Sequence, residues 1–283
     1  MKKKVVIIGV IAVIASLLIY AFEIEPNWIE TTHTKIKISD TTDENFSCNL
    51  LVISDFHVAS EEHEKFLEKV VNEINKISKT ERIDAVIIDG DIIDYKTEEI
   101  KFLAPLKNIE HKNVYAVLGN HDYSYGWSHK EIADEVEKYM KDSGVDVMRN
   151  ENRVICGGKI RMVGIDELWS GQYNLSKSYD VKEEKQNKQK ILPNVLISHN
   201  PDIIYVLKDE HPDLIISGHT HGGQVKIPFL GPVTMPSNVG KICPEGLCNV
   251  SGYEIYITRG IGGNPRVRFL SRPEISVIEL NFI

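Results

Sequence analysis

The chain alternates short, continuously apolar runs with segments whose apolar residues recur at helical spacing. Continuous apolar runs bounded by polar residues are typical of buried strands, and here they are residues 49–53, 85–88, 114–118, 195–197 and 214–216. Further strands are predicted near residues 34–38, 154–156, 160–163, 254–258 and 275–280, the first of them at a sheet edge. Helices are predicted over residues 62–78, 97–108 and 129–143, with Gly144 ending the last one.

The order of these elements indicates the fold class. Strands with helices between them, followed by a C-terminal part made mostly of strands, predict one α/β domain with a mixed sheet or two sheets and helices outside. Two segments interrupt the pattern. Residues 171–190 are rich in Lys, Glu and Gln and are expected to form a solvated loop and helix. Residues 225–250 contain Pro228, Pro232, Pro236 and several glycines, which favours loops.

The N-terminal segment differs from the rest of the chain. Lys2, Lys3 and Lys4 precede an uncharged apolar stretch of 18 residues, 5–22, which at about 1.5 Å per residue just crosses the hydrocarbon core of a membrane. A cleaved signal peptide and an uncleaved signal anchor both stay open, and the length and the absence of a small-residue cleavage site before Glu23 favour the anchor. The three lysines then predict a single-pass cell-membrane protein, with a cytoplasmic N-terminus and residues 23–283 outside the cytoplasm.

Composition narrows the classes of function. The 283 residues carry a formal net charge of −8, so the basic surface that nucleic-acid binding requires is not indicated. Four cysteines are present, and Cys243 and Cys248 bracket a Pro-Glu-Gly-Leu segment. In an extracytoplasmic domain these two would form a local disulfide, while unpaired thiols are the alternative. Because no Cys-x-x-Cys pair occurs, a zinc site held by such a thiolate pair is excluded.

Polar side chains follow five of the predicted strands at the point where each strand ends. The five stretches are Ser54-Asp55-Phe56-His57, Asp89-Gly90-Asp91, Gly119-Asn120-His121-Asp122, Ser198-His199-Asn200 and Gly218-His219-Thr220-His221. In α/β sheets the carboxyl ends of the strands converge on one crevice where ligands bind. Carboxylate, imidazole and amide donors without a thiolate suit ions such as Mn, Fe, Zn or Mg. The five stretches together therefore predict one metal site, whereas any one of them alone is weak evidence.

These motifs resemble those of the calcineurin-like metallophosphoesterase family. The resemblance rests on Asp55-x-His57, Gly90-Asp91, Gly119-Asn-His-Asp122, His199 and Gly218-His-Thr-His221, and it spans about residues 46–280. With the N-terminal anchor, Arg259-Gly-Ile-Gly and Pro273-Glu, it points to a membrane-anchored bacterial branch related to UDP-2,3-diacylglucosamine pyrophosphatases. The resemblance implies an α/β fold of two packed mixed β-sheets flanked by helices, an α-β-β-α sandwich, preceded by one N-terminal transmembrane helix. The segment from Cys243 to Cys248 is not expected from the family.

The resemblance also implies a role for each residue of the site. Two divalent metal ions (Mn, Zn, Fe or Mg) would be held by Asp55, His57 and His221 on the first ion, by Asn120, His199 and His219 on the second, and by Asp91 on both. His121 would bind no metal and would protonate the leaving group, with Asp122 fixing its tautomer. A hydroxide bridging the two metals would attack phosphorus directly, without a covalent intermediate.

The function implied is hydrolysis of a phosphodiester or pyrophosphate bond. The substrate would be a phosphate-ester small molecule or a lipid-linked one, such as a glycolipid or cell-envelope molecule. A non-catalytic phosphoesterase-like scaffold that binds a partner protein is the alternative, and the presence of every site residue argues against it. We expect a monomer with a signal anchor at 1–22, a linker and edge strand at 23–45 and a metallophosphoesterase domain at 46–283.

Residues around the motifs receive weaker assignments. Asp94 is expected to orient other groups rather than to bind metal. Trp169, Phe229 and Lys241 lie in loops that could rim the site. For three late arginines, pairing with acidic residues at the surface is slightly favoured over phosphate binding: Arg259, Arg266 and Arg268.

Overall fold

Two six-stranded β-sheets lie at the centre of the protein, as the computed structural model of residues 2–38, 46–180 and 192–282 shows. The strands are β1 (Glu30–Ile38), β2 (Phe46–Ile53), β3 (Ala85–Asp89), β4 (Val114–Val117), β5 (Asp146–Val147), β6 (Glu151–Ile155), β7 (Ile160–Gly164), β8 (Asn194–Ile197), β9 (Leu214–Ser217), β10 (Lys226–Ile227), β11 (Gly231–Pro232), β12 (Gly246–Val250), β13 (Tyr253–Ile257) and β14 (Glu274–Phe282). The helices are α1 (Lys2–Ile19), α2 (Glu61–Thr80), α3 (Lys130–Asp142), α4 (Leu175–Ser178) and α5 (Asn238–Ile242), with a long 3₁₀-helix at Thr97–Asn108.

The first sheet has the strand order β1-β14-β2-β3-β4-β5. Only the β14–β2 pair is antiparallel, so β2, β3 and β4 run side by side in one direction. Their carboxyl ends therefore meet at one edge of the sheet. β1 lies at the outer edge, as the sequence predicts, and pairs with β14 over its whole length.

The second sheet has the strand order β12-β13-β9-β8-β7-β6. Its four central strands are parallel, and the outer pairs β12–β13 and β6–β7 are antiparallel. The carboxyl ends of β8 and β9 are thus neighbours, like those of β2, β3 and β4 in the first sheet. Both sheets are mixed, which confirms the predicted fold.

Three apolar layers hold the sheets and helices together. One layer lies between the two sheets and includes Leu50, Ile87, Ile197 and Ile216, all fully buried. A second covers the outer face of the first sheet with α2, α3 and the 3₁₀-helix. A third covers the outer face of the second sheet with short segments such as α4, α5 and the 3₁₀-turn Pro201–Tyr205. The protein is therefore the predicted α-β-β-α sandwich.

Helix α2 shows how the local sequence sets an element. Its apolar residues recur every three to four positions and form one buried stripe. Ser60 caps the helix by accepting the N–H of His63 at 3.4 Å, and Glu61, Glu62 and Glu64 lie in the first turn, where acidic groups favour the helix dipole. The observed bounds, Glu61–Thr80, extend the predicted 62–78 by one and two residues.

Two disulfides pair all four cysteines. Cys243 is joined to Cys248, which confirms the disulfide interpretation of that segment over the unpaired thiols. Cys48 of β2 is joined to Cys156, which follows β6, across a separation of 108 residues. This second bridge ties the first sheet to the second and was not predicted, because no local spacing relates the two positions.

The N-terminal helix leaves the body of the protein and then returns to it. No residue of α1 is buried. With the turns that continue it, the helix covers Lys2–Asn27, reaches a mean hydropathy of 2.9, and is long and apolar enough to cross a membrane. At its end Glu25 is fully buried, and its carboxylate accepts the N–H groups of Leu270 at 2.9 Å and Ser271 at 2.5 Å. The start of the expected linker is therefore docked on the domain, while residues 39–45 lie outside the described residues.

The structure differs from the predicted pattern in two places. Residues 225–250 contain the short strands β10 and β11, helix α5 and strand β12 in addition to loops. β12 forms because it pairs with β13 along its whole length, which the low β-propensity of its Gly and Asn concealed. The two-residue strand β5 was also missed. Of the polar segment 171–190, residues 181–190 lie outside the described part, and α4 precedes them.

Candidate metal centre

Five loops from the two sheets meet at one place. The loops after β2, β3 and β4 come from the first sheet, and those after β8 and β9 come from the second. They carry the seven predicted ligands, of which six form two clusters of possible metal ligands: Asp55, His57, Asp91, His199, His219 and His221. The seventh, Asn120, follows β4 and precedes His121, whose N–H donates to Oδ1 of Asp91. The rule that ligands bind at the carboxyl ends of parallel strands therefore holds here across two sheets rather than one.

The backbone is strained at most of these positions. Five residues adopt a positive φ: Asp55 (56°), His57 (46°), Asp91 (50°), His219 (66°) and His221 (52°). Non-glycine residues rarely occupy this left-handed region, and such residues concentrate at functional sites where the surrounding structure holds them in place. These turns follow the ends of β2, β3 and β9, and all five side chains belong to the clusters of possible metal ligands.

Two glycines in the motifs are required by close packing. A Cβ at Gly119 would lie 2.2 Å from Oδ1 of Asp91, and a Cβ at Gly218 would lie 1.9 Å from Oγ of Ser54. Both distances are impossible for real atoms, so no other residue fits. The motif glycines let the loops from different strands lie directly against one another, which brings the polar groups together.

The first cluster consists of Asp55, His57 and His221. The Nε2 atoms of the two histidines are 3.2 Å apart, and Nε2 of His221 is 3.4 Å from Oδ1 of Asp55. Nε2 of His57 is 4.0 Å from the same oxygen. Three donor atoms, two from the loop after β2 and one from the loop after β9, thus lie close to one another.

The second cluster consists of Asp91, His199 and His219. Asn120 lies in the loop that follows β4. Nε2 of His199 lies 3.1 Å from Oδ2 of Asp91. Oδ1 of Asn120 and the Nε2 atoms of His199 and His219 are buried and, among the described residues, have no hydrogen-bond partner. Buried polar atoms normally find partners, so three such orphans in one crevice fit a set of metal ligands.

Asp91 lies between the two clusters. Its Oδ2 is 3.1 Å from Nε2 of His199 and 3.4 Å from Nε2 of His57, one histidine from each cluster. Its Oδ1 accepts the backbone N–H of His121 at 2.9 Å. A single carboxylate therefore reaches both groups of histidines.

The Nδ1 atoms of His57 and His199 contact neighbouring oxygen atoms. Nδ1 of His199 donates to the carbonyl oxygen of Asp89 at 2.6 Å, which turns Nε2 towards Oδ2 of Asp91, 3.1 Å away. Nδ1 of His57 lies 3.2 Å from Oδ1 of Asp94, which orients its Nε2 towards Asp55 and His221. Such contacts to a carbonyl or carboxylate fix the tautomer and raise the basicity of a metal-binding imidazole.

Burial and charge shape the protonation of the cluster. Burial lowers the pKa of His219 to about 3 and, with the nearby charge of His57, lowers the pKa of His221 well below its usual range. Both imidazoles are therefore neutral, as metal binding requires. Although burial opposes it, the charge of His199 holds the pKa of Asp91 well below its usual range, so this carboxylate is ionised.

His121 stands beside the clusters with its own partners. Its Nδ1 donates to the carbonyl oxygen of Asp94 at 2.8 Å and lies 3.3 Å from Oδ1 of the same residue. Its Nε2 is 3.4 Å from the hydroxyl of Tyr95. Burial alone would lower the pKa of His121, but the charges of Asp91 and Asp94 raise it to about 9. His121 is therefore a cation at neutral pH with Nε2 turned away from Asp94.

The role expected of Asp122 is wrong in one respect. Its carboxylate does not contact the imidazole of His121, because both oxygens accept backbone N–H groups: Oδ1 from Ile92 at 2.9 Å and Ile93 at 3.0 Å, and Oδ2 from Gly119 at 2.8 Å. Asp122 is fully buried and ties the loop after β3 to the loop after β4. The carboxylate that meets His121 is Asp94, which fits the orienting role expected for it.

Aromatic side chains line one side of the crevice. Trp169 packs edge-on against His219, with ring centroids 4.6 Å apart, so its predicted position at the rim is confirmed. Trp127 lies between Trp169 at 6.1 Å and His121 at 5.2 Å. The sequence prediction missed Trp127, although the aromatic run Tyr-Ser-Tyr-Gly-Trp directly after the Gly-Asn-His-Asp motif was a signal for it.

Arg268 is buried next to the first cluster and contacts the backbone of His221. It is 1% exposed, and its guanidinium donates to five backbone carbonyls, those of His221, Arg259, Gly260, Gly262 and Ser271. The expectation of surface pairing is therefore wrong for this arginine. The nearby chain turns at glycines leave carbonyls that need donors, and one guanidinium satisfies them together.

The other two arginines follow the expectation of pairing with acidic residues. Arg259 lies 2.6 Å from Glu30, and Arg266 lies 3.4 Å from Glu62. Neither contact involves the metal centre.

Comparison with known proteins places this geometry in a family. The model of the calcineurin-like phosphoesterase family matches residues 48–223. The metallophosphoesterase YkuE of Bacillus subtilis is 30% identical over 92% of this chain and 88% of its own length. Phosphodiesterase YaeI of Escherichia coli is 28% identical over 92% of each chain. UDP-2,3-diacylglucosamine pyrophosphatase LpxG of Chlamydia muridarum is 25% identical over 92% of each chain. The chain therefore belongs to the calcineurin-like phosphoesterase family, and it is a metal-dependent phosphoric ester hydrolase.

Proposed function

We propose that the protein is a membrane-anchored phosphoesterase that uses two divalent metal ions to hydrolyse a phosphodiester or pyrophosphate bond. The observation that carries the proposal is the pair of clusters on either side of Asp91, with orphaned buried atoms on Asn120, His199 and His219. No described residue donates a hydrogen bond to these atoms, and a cation would satisfy all three.

The donor geometry supports a definite division of ligands. Asp55, His57 and His221 would hold the first ion, and Asn120, His199 and His219 would hold the second. Asp91, within 3.4 Å of a histidine from each group, would bridge the two ions. Oxygen and imidazole donors of this kind accept Mn, Zn, Fe or Mg, so the ligand set does not select one metal.

The residues around the ions would carry the proton chemistry. When bound, the two ions supply positive charge that neutralises the phosphate oxygens and activates a water for in-line attack. His121 holds a proton on Nε2, because Nδ1 is committed to the carbonyl of Asp94. That proton would pass to the leaving oxygen, and the Asp94 carboxylate would stabilise the imidazolium until it does.

The N-terminal helix and the disulfides support the proposed location. α1 has the length and hydropathy of a membrane span, and its apolar surface is exposed along its whole length. Disulfides persist in oxidising compartments, and both bridges lie in the part of the chain after α1. Together they support a single span with the catalytic domain on the extracytoplasmic side of the cell membrane.

A lipid-linked substrate is the class that the surroundings favour. A relative named for the hydrolysis of UDP-2,3-diacylglucosamine acts on a lipid-linked pyrophosphate, and it aligns over 92% of this chain. The aromatic side chains of Trp127 and Trp169 give the crevice an apolar wall beside the proposed ions. Such a wall suits a substrate with an apolar or flat group next to its phosphate.

The full chain in detergent micelles tests this proposal with bis(p-nitrophenyl) phosphate and added Mn²⁺. We expect metal-dependent turnover that a chelator abolishes. His121→Ala should keep both metal ions and lose rate by about 10²–10⁴-fold on an alkyl phosphodiester. The loss should be smaller on the p-nitrophenyl ester, whose leaving group needs no proton.

The outcome also separates the enzyme from the scaffold alternative. A protein that binds two ions but turns over no phosphodiester, pyrophosphate, nucleotide-sugar or phospholipid substrate would support the scaffold and overturn the proposal. A His121→Ala variant that loses metal and keeps its rate would contradict the division of roles.

A further inference from the structure

The hairpin that joins β10 to β11 presents bare apolar side chains to solvent. Phe229 is 107% exposed and Leu230 is 80% exposed, the highest values among the large apolar residues described. Ile227 and Val233 on either side are 46% and 57% exposed. An apolar group of this size on a surface loop indicates an interaction with a partner or a membrane.

The base of this hairpin is firmly held. The N–H of Lys226 donates to the carbonyl of Phe269 at 2.9 Å, and the N–H of Phe269 donates to the carbonyl of Gln224 at 3.0 Å. The ammonium of Lys226 pairs with Glu245 at 2.5 Å. The base that carries the exposed tip is therefore tied to two other segments of the domain.

The same segment that holds the hairpin also holds the end of the N-terminal helix. Within it, the N–H of Arg268 donates to the carbonyl of Ala21 at 2.9 Å, and the ring of Phe269 packs edge-on against Tyr20 at 5.9 Å. The next residue, Leu270, is 49% exposed. The base of the hairpin and the end of the helix thus lie against the same short strip of chain.

Aromatic residues mark the depth at which this strip lies. Tyr20 and Trp28 bracket the last turns of the helix, and Trp28 is 49% exposed with the guanidinium of Arg272 stacked 3.6 Å from its ring. Tyr and Trp are enriched where a membrane helix passes the headgroups, and cationic side chains favour the same zone. Phe269, in contact with Tyr20, therefore lies at headgroup depth if α1 spans the membrane.

We propose that Phe229 and Leu230 insert into the lipid bilayer beside α1 and form a second point of membrane attachment. The inference rests on the proposed anchoring by α1. A bilayer is the occupant that fits, because the base of the hairpin and the end of the candidate membrane helix share the strip at Arg268 and Phe269. A single helix fixes the protein to the membrane, and the hairpin fixes the direction in which the domain faces.

The second attachment has a consequence for access to the metal centre. A cavity of about 300 Å³ lies between the base of the hairpin and the first cluster, and its walls include His221, Gln224 and Met235. With the hairpin tip in the bilayer, this opening lies next to the membrane surface. A substrate held in the same leaflet then reaches the crevice without leaving the membrane.

Site-directed spin labelling of the full chain in lipid nanodiscs tests the proposal. All four native cysteines are paired in disulfides, so Leu230→Cys adds one reactive thiol. Its nitroxide should collide more with oxygen than with an aqueous nickel chelate, as a lipid-exposed label does. Ile11→Cys in α1 reports the anchoring separately. Tyr205→Cys, also an exposed and largely apolar position at 55%, should behave as an aqueous control.

The accessibility of the labels at positions 11, 205 and 230 supports or overturns the inference. Lipid-type accessibility at positions 11 and 230, with aqueous accessibility at 205, supports the inference. Lipid-type accessibility at 11 but aqueous accessibility at 230 overturns the hairpin insertion and leaves the anchor intact. Aqueous accessibility at position 11 overturns the anchoring, and the inference with it.

Discussion

In this structure Asp94 contacts His121, whereas the sequence led us to expect that Asp122 does. Replacing Asp94 tests which carboxylate supports the imidazole. Asp94→Asn removes the carboxylate charge 3.3 Å from Nδ1 of His121 but leaves the backbone carbonyl that accepts from the same nitrogen at 2.8 Å. The imidazole should therefore keep its orientation and tautomer. What changes is the free energy of its protonated form.

The size of the effect follows from the geometry. An opposite charge within about 4–6 Å shifts a pKa by about 1–3 units, and each unit corresponds to about 1.4 kcal/mol. The side chains of Asp94 and His121 are only 10% and 18% exposed, so solvent screens the pair weakly. Bound metal ions would offset the charge of Asp91, which leaves Asp94 as the main support of the imidazolium.

The sign of the pH dependence is definite. Without ions on Asp91, the charges of Asp91 and Asp94, working against burial, raise the pKa of His121 to about 9. With the ions bound this pKa is lower, and the acid form is present below it and is lost as the pH rises through it. In Asp94→Asn the loss begins about 1–3 units lower. At a pH above both pKa values we expect kcat on an alkyl phosphodiester to fall by about 10-fold for each unit of the shift, with a much smaller loss at pH 6.

A double-mutant cycle with His121→Ala checks the reasoning. If Asp94 acts through His121, Asp94→Asn should change the rate little once His121 is gone. Equal losses in both backgrounds would refute the mechanism. Asp94 also lies 3.2 Å from Nδ1 of His57, so metal content must be measured in every variant. Asp134→Asn, which removes a carboxylate paired with Arg149 at 2.6 Å on the protein surface, serves as a matched control.

Three further predictions concern the metal centre and the stability of the fold. Asp91→Asn should lose both metal ions, because the carboxylate of Asp91 contacts a histidine of each cluster. Elemental analysis of the dialysed protein measures this loss. A variant that keeps two ions per chain would show that Asp91 does not bridge them. Arg268→Met takes a donor from five carbonyls, of which those of His221 and Gly260 keep another one. It should destabilise the domain by about 3–5 kcal/mol, seen as a melting temperature lower by about 10 °C in calorimetry. A change below about 2 °C would mean that water replaces the guanidinium. The Cys48→Ala/Cys156→Ala variant removes a disulfide that joins residues 108 positions apart. In a denaturant titration its free energy of unfolding should be lower by about 2–4 kcal/mol. An unchanged midpoint would show that the disulfide does not stabilise the native protein.

Local sequence determined much of the site in advance. Each motif directly follows a continuous apolar run, and such runs become parallel strands whose ends must be near one another. The meeting of Asp55, Asp91 and His219 in one crevice could therefore be predicted from the place of each motif at the end of an apolar run, although His219 belongs to the second sheet. The helical spacing of α2 and the edge position of β1 followed from periodicity in the same way.

What could not be predicted depends on contacts between distant segments. Asp122 is next to His121 in sequence, yet its carboxylate faces the backbone of the β3 loop, and Asp94 reaches the imidazole from 27 residues away. Nothing local distinguishes these two carboxylates. The burial of Arg268 has the same origin, because its five acceptors come from turns that meet only in the folded protein.

Crystals grown with Mn²⁺ and measured at the manganese absorption edge test the central claim most directly. The account predicts two anomalous peaks about 3.5–4 Å apart, one among Asp55, His57 and His221 and the other beside His199 and His219, with Asp91 between them. A single peak, or a peak coordinated by His121, would contradict it.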